Sequence, residues 1–235
     1  MCGIAGLFGK NHKGLLNDPI TKMVSSLVHR GPDDSGIWVN QNNTLALGHR
    51  RLSILDLSEA GHQPMKSSCG RFILTFNGEI YNHLELRKLL LSEGRNLRWR
   101  GSSDTETILE GFSCWGINKT FERMVGMFAL AVWDNFEQKL FLARDRIGEK
   151  PLYFGWSKGN FVFASELKAI KESPGFNNEI DRDSLTLFLR HTYIPSPRSI
   201  YKNIYKLQPG HILELKINDT IQAPKEGQLS LSLNL

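Results

Sequence analysis

The chain opens on MCGIAGLFG (Met1–Gly9), where apolar residues and glycines follow a cysteine at the second position. Ile4, Ala5 and Leu7 predict a first strand that is anchored in the core, and the glycines around them leave room for a ligand or another backbone. A nucleophile at the tip of such a strand is held rigidly. The stretch therefore predicts a buried first strand with Cys2 as the candidate reactive residue.

Seven further segments have the composition of strands and are separated by Gly, Pro, Asn and Asp. After a first strand at Ile4–Phe8, they are Gly36–Val39, Leu45–Arg50, Phe72–Phe76, Met127–Asp134, Lys139–Arg144, Leu152–Gly155 and Phe161–Ser165. Helical patterns interleave with these strands less often than a βαβ alternation requires. We therefore predict an α+β fold with layers of mostly antiparallel sheet, and not a doubly wound parallel sheet.

Apolar periodicity and capping residues predict four helices. They are Asp18–Leu27, Asn82–Glu93, a helix that begins at Ser103, and Asp183–His191. The expected N-caps are Asp18, Asn82 and Ser103. The second of these helices should bury a stripe that consists of Leu86, Leu89 and Leu90.

The 235 residues carry 29 basic and 24 acidic side chains, and 40% of the residues are hydrophobic. This balance is typical of one or two globular domains and excludes disordered and coiled-coil classes. No apolar run approaches the roughly 20 residues of a membrane helix, and the N-terminus lacks a signal-peptide pattern. We therefore expect a cytoplasmic protein without a membrane partner. The densest basic cluster, Arg95–Arg100, contains apolar residues and predicts a solvated loop, so no nucleic-acid partner is expected.

Cys2 acquires a special chemistry if Met1 is removed, because its thiol and the new α-amine then belong to one residue. An α-amine has a pKa of about 7.7–8.0 and can act as the base toward the thiol, as in N-terminal threonine enzymes. The alternative is that a cysteine follows Met1 by chance. Cys69 and Cys114 complete an odd set without a CxxC pattern, and we expect both to be incidental thiols.

Asn77 and Gly78, within FNGEIYN (Phe76–Asn82), allow two interpretations. An Asn amide beside a Gly backbone N–H can supply both donors of an oxyanion hole, as acyl transfer requires. Asn-Gly is also the commonest signal of a two-residue hairpin turn, and taken alone the pair favours the turn. The choice between the two depends on the other motifs.

Arginine and carboxylate side chains near these motifs can bind the carboxylate and the ammonium group of an amino acid. Arg50 and Arg51 end an apolar strand, and strand alternation directs only one of them toward a site, where it can clamp a carboxylate. Asp104 begins a helix; it either binds an ammonium group or, as the pattern alone favours, stabilises the helix dipole. With Glu79, these groups predict an α-amino acid substrate with a reactive acyl side chain, and glutamine fits.

Eight motifs occur in an order that closely resembles the glutaminase domain of glutamine-hydrolysing asparagine synthetases. They are MCGIAGLFG, HRGPDDSG, GHRRLSILD, FNGEIYNHLELR, SSDTETIL, VGMFALAVWD, LARDRIGEKPLYFG and FASELKAI. These enzymes belong to the class II glutamine amidotransferases, which have an N-terminal nucleophile. The resemblance runs from Met1 to about Ile217, and we interpret residues 218–235 as a tail or as a truncated linker to a synthetase domain.

The resemblance implies the four-layer αββα sandwich of N-terminal nucleophile hydrolases, with two antiparallel sheets between helical layers. It makes Cys2 the nucleophile and Asn77 with Gly78 the oxyanion hole, so that glutamine is hydrolysed to glutamate and ammonia through a thioester. The residues that it implies for glutamine binding are Arg51 at the α-carboxylate, Leu52, Ser53, Ile54 and Leu55 along the pocket, and Glu79 and Asp104 at the α-amine. It implies no catalytic role for Arg50.

The resemblance implies no metal or cofactor for this half-reaction. His29, His49, His62 and His83 match no metal-binding spacing, and we expect them to be structural. In the resembling enzymes, ATP and Mg²⁺ serve a second domain with an SGGxDS-type loop, which does not occur in this chain. The expected partners are L-glutamine and a synthetase domain in cis or in trans, and a homodimer is compatible with the resemblance.

Two alternatives to the asparagine synthetase interpretation stay open. Similar glutaminase domains serve several synthases, so the ammonia acceptor can be a molecule other than aspartate, such as a sugar. The domain can also be a non-catalytic module that binds glutamine or a partner protein. A retained Met1 would favour this last alternative, because it would block the α-amine of Cys2.

Overall fold

The computed structural model of the protein describes residues 1–9, 14–54, 56–94 and 97–216. The strands in these ranges are β1 (Gly3–Phe8), β2 (Asp34–Val39), β3 (Leu45–Arg51), β4 (Met65–Lys66), β5 (Phe72–Ile80), β6 (Gly126–Asp134), β7 (Lys139–Arg144), β8 (Tyr153–Ser157), β9 (Asn160–Ala164), β10 (Ile204–Lys206) and β11 (Ile212–Lys216). The helices are α1 (Asn17–Ser25), α2 (His83–Ser92), α3 (Asp104–Trp115), α4 (Ile117–Arg123), α5 (Leu167–Lys171) and α6 (Arg182–His191), and a 3₁₀ turn covers Glu59–Gly61.

The first strand lies inside one of two antiparallel sheets. That sheet has the order β10-β8-β9-β1-β3-β2, and the other has the order β11-β7-β6-β5-β4. β1 pairs with β3, from Gly3 opposite Arg50 to Phe8 opposite Leu45, and it pairs with β9 on its other side. Because both edges of β1 are hydrogen-bonded, the residue next to Cys2 is fixed by the sheet and does not fray as a free terminus would. The predicted buried first strand is confirmed.

Three separate hydrophobic cores show how the layers stack. Ile4 and Phe8 of β1 lie in the core between the two sheets, together with Trp133 of β6. Ala5 and Leu7 of β1 face the opposite core, between the first sheet and α1, and a third core lies between the second sheet and α3. Each large side chain that is fully buried in such a core contributes about 1.5–3 kcal/mol. The order of layers is helix, sheet, sheet, helix, so the predicted αββα sandwich is confirmed.

Helices α1 and α3 bury the faces that their periodicity predicts. α1 packs Met23 and Val24 against the first sheet, and α3 packs Phe112 against the second. Ser103 caps α3, because its hydroxyl oxygen accepts a hydrogen bond from the N–H of Thr105. α3 therefore starts at a fixed point beside β5.

The other two predicted caps are wrong. α1 begins at Asn17 without a side-chain cap, and Asp18 lies within its first turn. The side chain of Asn82 does not cap α2. Its amide nitrogen donates to the carbonyl oxygen of Arg123 at 2.9 Å, and its oxygen accepts from the N–H of Val125 at 3.0 Å. This contact with a distant segment takes the place of the local cap.

The apolar stripe of α2 is narrower than predicted, since Leu86 and Leu90 are buried whereas Leu89 is 38% exposed. The sequence patterns also do not predict five short elements, namely β4, β10, β11, α4 and α5. The longest of these has seven residues, which is too short for a periodic pattern to stand out. Short elements of this kind follow from tertiary packing more than from local sequence.

Two segments that carry sequence-based expectations lie outside the described residues. They are residues 218–235, and Arg95 with Asn96 of the basic cluster. Arg100 of that cluster pairs with Glu106 at 3.2 Å, which is a structural contact. Among the described residues, no helix combines the length and the apolar character needed to span a bilayer.

Candidate active site

A cleft opens where the start of β1 meets the end of β3, the second half of β5 and the start of α3. Its lining includes Cys2, Arg51, Leu52, Ile54, Asn77, Gly78, Glu79 and Asp104. Its volume of about 110 Å³ holds several water molecules, since about 10–15 Å³ admits one. Ser53 faces a neighbouring groove instead, where its N–H donates to Asp33 at 2.8 Å. Leu55 lies outside the described residues.

Cys2 lies at the tip of β1, half-buried in the cleft. The N–H of Leu52 donates to Sγ at 3.4 Å, and Sγ lies 3.7 Å from the carbonyl oxygen of Leu52. Burial raises the pKa of the thiol, although the Leu52 N–H, the N-terminal charge and Arg51 oppose that rise. The thiol is therefore protonated near neutral pH, and a nucleophilic role requires a base close to it.

Arg30 fixes the main chain of Cys2, a contact that the sequence patterns do not reveal. Its Nε donates to the carbonyl oxygen of Cys2 at 2.9 Å, and its Nη1 donates to the carboxylate of Glu166 at 2.8 Å. His29 also contacts Glu166, at 3.0 Å. Arg30 lies in the motif HRGPDDSG and Glu166 lies in the motif FASELKAI, both of which carry the resemblance. This membership is the sequence feature that could have identified the two residues.

One edge of β5 is open beside the cleft. Alternate residues of β5 direct their N–H groups toward the edge that β4 covers, but β4 pairs with only two residues of β5. Beyond that pairing, side chains take the place of a strand: Gln63 accepts from the N–H of Phe76 at 2.7 Å, and Asp104 accepts from the N–H of Ile80 at 2.9 Å. Gly78 lies between these two positions on the same edge and lines the cleft. Its N–H is therefore the one that faces the cleft.

Gly78 occupies a position at which β5 needs glycine. A Cβ here would lie 2.7 Å from Cα of Phe128 and closer still to the carbonyl oxygen of Met127. Phe128 exchanges its hydrogen bonds with Asp145 on its other side, so it does not pair with the N–H of Gly78. Asn77 and Gly78 thus lie inside a strand that continues the ladder with β6. The hairpin-turn interpretation of this pair is wrong.

Asn77 carries an unused donor. The residue is 1% exposed, and its Nδ2 is buried with no hydrogen-bond partner in the part of the chain that the structure describes. An unsatisfied buried donor costs about 1–3 kcal/mol, so its presence indicates a ligand or a function. By strand alternation, Asn77 faces the first sheet, as does Thr75, whose hydroxyl donates to the carbonyl oxygen of Gly48 at 3.2 Å. The amide thus borders the cleft that Cys2 lines.

Arg50 and Arg51 point to opposite faces of β3, as the alternation predicts. Arg50 donates from Nε to the carbonyl oxygen of Gly31 at 2.9 Å. Arg51 lines the cleft and donates to the carbonyl oxygens of Ser58 and Asp56. A guanidinium group has five N–H donors, so Arg51 retains donors for an anionic ligand.

Glu79, Asp104 and Asp56 give the cleft its negative charge. The Asp56 carboxylate accepts hydrogen bonds from the N–H groups of Ser58 and Ser102. Asp104 is 4% exposed and lies at the start of α3, and its contact with Ile80 joins that helix to β5. Burial raises the pKa of the Asp104 carboxyl, while the N–H of Ile80 and the charge of His83 oppose that rise. The structure thus places Asp104 both at a helix start and in the cleft, where a carboxylate can bind an ammonium group.

Lys150 brings a buried ammonium group to the cleft, which the sequence patterns do not predict. It is 6% exposed, and its Nζ lies 3.4 Å from Sδ of Met1. Arg144 donates to its carbonyl oxygen, and Asp145 accepts from its N–H. Because the carboxylate of Asp145 accepts from five backbone N–H groups in all, the loop that carries Lys150 is fixed to β6.

His49 is a buried titratable group behind the cleft. Its Nε2 donates to the carbonyl oxygen of Phe76 at 3.0 Å, and its Nδ1 is buried without a partner among the described residues. Burial lowers the pKa of the imidazole to about 4, against the opposing effects of the Phe76 carbonyl and Asp34. The imidazole is therefore neutral in the folded protein at pH 7.

We expect acid to destabilise the fold through His49. Above pH 6.5 the imidazole is neutral in both states, but as the pH falls from 6.5 toward 4 the unfolded chain binds a proton that the folded protein does not. The free energy of unfolding should therefore drop by about 2 kcal/mol between pH 8 and pH 5. Urea unfolding at both pH values measures this drop, and His49→Gln should reduce it by that amount. An equal drop in both proteins would contradict the assignment.

Known proteins resemble this chain over most of its length. Residues 1–225 match the family described as "Glutamine amidotransferase domain". A protein of Methanocaldococcus jannaschii that carries a glutamine-hydrolysing asparagine synthetase name is 40% identical, and the match covers 88% of this chain and 42% of that protein. Asparagine synthetase [glutamine-hydrolyzing] 3 of Bacillus subtilis is 35% identical, over 91% of this chain and 34% of its own.

The chain spans less than half the length of these relatives. Among solved structures, glutamine phosphoribosylpyrophosphate amidotransferase of B. subtilis superposes with a TM-score of 0.66 at 20% identity, over 92% of this chain and 47% of that one. This likeness shows that the two proteins share a fold. The sequence matches show more: the chain belongs to the glutamine amidotransferase domain family and is homologous to the glutamine-hydrolysing part of asparagine synthetases.

Proposed function

We propose that this domain hydrolyses L-glutamine to glutamate and ammonia through a thioester on Cys2. The observation that carries the proposal is the open edge of β5, where the N–H of Gly78 faces the cleft that the thiol lines and the amide of Asn77 has a donor without a partner among the described residues. Two such donors in a partly enclosed cleft are what a tetrahedral oxyanion requires.

Glutamine binds by the two charged groups on its α-carbon in this scheme. Its α-carboxylate pairs with the guanidinium group of Arg51, and its α-amine pairs with Glu79 and Asp104. Leu52 and Ile54 also line the pocket. With both α-groups held, the γ-amide carbon lies against Sγ of the nucleophile, and the attack becomes an intramolecular step with a high effective concentration.

Removal of Met1 gives Cys2 a free α-amine, which takes the thiol proton as Sγ attacks the γ-carbonyl carbon. The carbonyl π electrons move to the oxygen, and Asn77 and Gly78 stabilise the oxyanion. The C–N bond then breaks, and ammonia leaves with the proton that the amine holds. Water adds to the thioester with the same amine as its base, and the C–S bond breaks to give glutamate and the free thiol.

Arg30 orients the nucleophile in this scheme. It holds the carbonyl oxygen of Cys2, while the ladder of β1 holds the residue that follows. The thiol and the new amine therefore keep a fixed relative position after Met1 has left. Glu166 holds Arg30 in turn.

The direct test is to incubate the purified full chain with L-glutamine and to measure glutamate and ammonia. An intact-mass measurement of the same preparation shows whether Met1 has been removed. Equal amounts of glutamate and ammonia from a protein without Met1 support the proposal. A protein without Met1 that binds glutamine and does not hydrolyse it would instead be a non-catalytic module.

Aspartate is the acceptor of the ammonia in our proposal, as the names of the relatives indicate. That second reaction needs ATP and Mg²⁺ in a synthetase domain, in cis or in trans, whereas glutamine hydrolysis itself needs neither. Glutamine labelled with ¹⁵N at the amide, given to the complete native protein or complex, tests the acceptor. Label in asparagine supports the proposal, and label only in another product, such as an amino sugar, overturns it.

Arg51→Lys should raise the KM for glutamine about 10- to 100-fold with a smaller effect on kcat, because a lysine cannot form the two parallel bonds of a guanidinium group. Steady-state kinetics of the full chain measures the change. Arg50→Lys is the matched control, since Arg50 lies one residue away on the other face of β3. An equal rise in both variants would remove Arg51 from the carboxylate site.

A further inference from the structure

Gln63 joins the two elements that carry the proposed oxyanion hole and the proposed ammonium site. It is 5% exposed and lines the cleft. Its Oε1 accepts from the N–H of Phe76 at 2.7 Å, and its Nε2 donates to Oγ1 of Thr105 at 3.3 Å. Phe76 directly precedes Asn77 on β5, and Thr105 directly follows Asp104 on α3. One side chain thus connects both parts of the site.

The backbone explains why a side chain is needed at this place. β4 pairs Met65 with Leu74, and the same antiparallel register would put the main chain of Gln63 opposite Phe76. β4 ends before that point. The carbonyl oxygen of Gln63 lies instead against Gly36 of β2, where a Cβ would overlap it. The amide side chain therefore replaces the missing strand at Phe76.

An amide is suited to this position because it has an acceptor and a donor at a fixed separation. The backbone N–H of Phe76 can only donate, so the oxygen of Gln63 must face β5 and its NH₂ group must face α3. Both contacts are made within the protein. The side chain is consequently a rigid link between two elements, and it has this geometry before any substrate binds.

We propose that Gln63 is a positioning residue that sets the distance between the oxyanion donors on β5 and the ammonium-binding carboxylate on α3. This inference rests on the function proposed above. Glutamine spans the same distance with its own carbon chain. Gln63 therefore keeps the acyl end of the substrate at Cys2 when its amino end is bound at Asp104.

Two variants separate the contacts of Gln63. Gln63→Met keeps the length of the side chain and removes both hydrogen bonds, and we expect kcat for L-glutamine to fall about 10- to 100-fold, since small displacements of reacting groups have large effects. Thr105→Val removes only the bond to α3 and should lower kcat about 2- to 10-fold. Asn40→Ala is the control for lost stability, because the buried Asn40 accepts from the N–H groups of Thr44 and Leu45 in the β2–β3 turn. Its kcat should be unchanged.

The measurement specific to positioning compares L-glutamine with 4-carbamoylbutanoate, which has the same amide and carboxylate and lacks the α-amine. The ratio of kcat/KM for L-glutamine to kcat/KM for 4-carbamoylbutanoate should fall in Gln63→Met and in Thr105→Val, because the bound amine then no longer places the amide correctly. The ratio should be unchanged in Asn40→Ala. An unchanged ratio in both site variants would overturn the proposal, and Thr105→Val keeps the test valid if Gln63→Met does not fold.

Failure of the proposed function is distinguishable from failure of this inference. If the wild-type chain without Met1 hydrolyses no glutamine, the proposed function is wrong. Calorimetric binding of the same two compounds to the same full-length variants then tests Gln63 separately. A dissociation constant for L-glutamine that rises relative to that for 4-carbamoylbutanoate in Gln63→Met and Thr105→Val supports the positioning role, and a ratio equal to that of the wild type overturns it.

Discussion

Cys2→Ala is expected to abolish glutamine hydrolysis, with a fall in kcat of at least about 10⁴-fold. Without the thiol no thioester forms, and water would have to attack the amide directly with the oxyanion donors as the remaining assistance. The ladder of β1 starts at Gly3 and does not depend on the Cys2 side chain. The variant should therefore fold and bind glutamine, which calorimetry measures beside the assay for glutamate.

Cys69→Ala is the matched control for this substitution. Cys69 lies in an exposed turn, with Sγ 3.4 Å from the hydroxyl groups of Ser67 and Ser113. It should keep full activity and the same stability. Undiminished hydrolysis in Cys2→Ala, or loss of hydrolysis in Cys69→Ala, would show that the nucleophile is assigned to the wrong residue.

Asn77→Ala should lower kcat about 10²- to 10³-fold with little change in KM, because one donor to the oxyanion is lost and the contacts of the substrate's α-carboxylate and α-amine are kept. Its Nδ2 has no partner in the described part of the chain without substrate. Removal of this donor therefore breaks no hydrogen bond among residues 1–9, 14–54, 56–94 and 97–216. The increase in activation free energy, calculated from kcat, should be much larger than the decrease in the free energy of unfolding, which urea titration measures.

Asn160→Ala provides the comparison for Asn77. Asn160 is 6% exposed, has a buried amide oxygen without a partner among the described residues, and lies on β9. The register between β1 and β9 places it at the end of β1 that is remote from Cys2. Its kcat should equal that of the wild type. Equal losses of activity in both variants would mean that Asn77 acts through folding and not on the oxyanion.

Long strands could be predicted from the sequence. Most of the errors arose where a local sequence pattern competed with a contact to a distant part of the chain. β1 is apolar at successive positions because Ile4 and Ala5 enter different cores, and that double burial is visible in the sequence. The failure of Asn82 to cap α2 could not be predicted, since the partners of its side chain, Arg123 and Val125, lie more than forty residues away. Asn-Gly at residues 77–78 favours a turn locally, but the pairing of β5 with β6 continues through both residues.

The site was predictable where the chemistry of a residue or the resemblance to a family identified it. Strand alternation predicted that only one of Arg50 and Arg51 faces the site, the resemblance identified Arg51, and the structure places Arg51 and not Arg50 in the cleft. Arg30, Gln63 and Lys150 were missed for a common physical reason. Each contacts a residue at least 13 positions away, and neither periodicity nor propensity encodes such contacts.

The brevity of β4 has a consequence for inhibitors. Glutamine-like compounds compete through their α-carboxylate and α-amine, which many proteins recognise. The open edge of β5 offers a different handle at Gly78, because the N–H groups of Phe76 and Ile80 on either side of it are already bonded to Gln63 and Asp104. One carbonyl group can reach the N–H of Gly78, whereas an extended peptide would find the neighbouring N–H groups occupied and could not add as a strand. A compact acceptor group, and not a strand, is thus the natural template for blocking this domain.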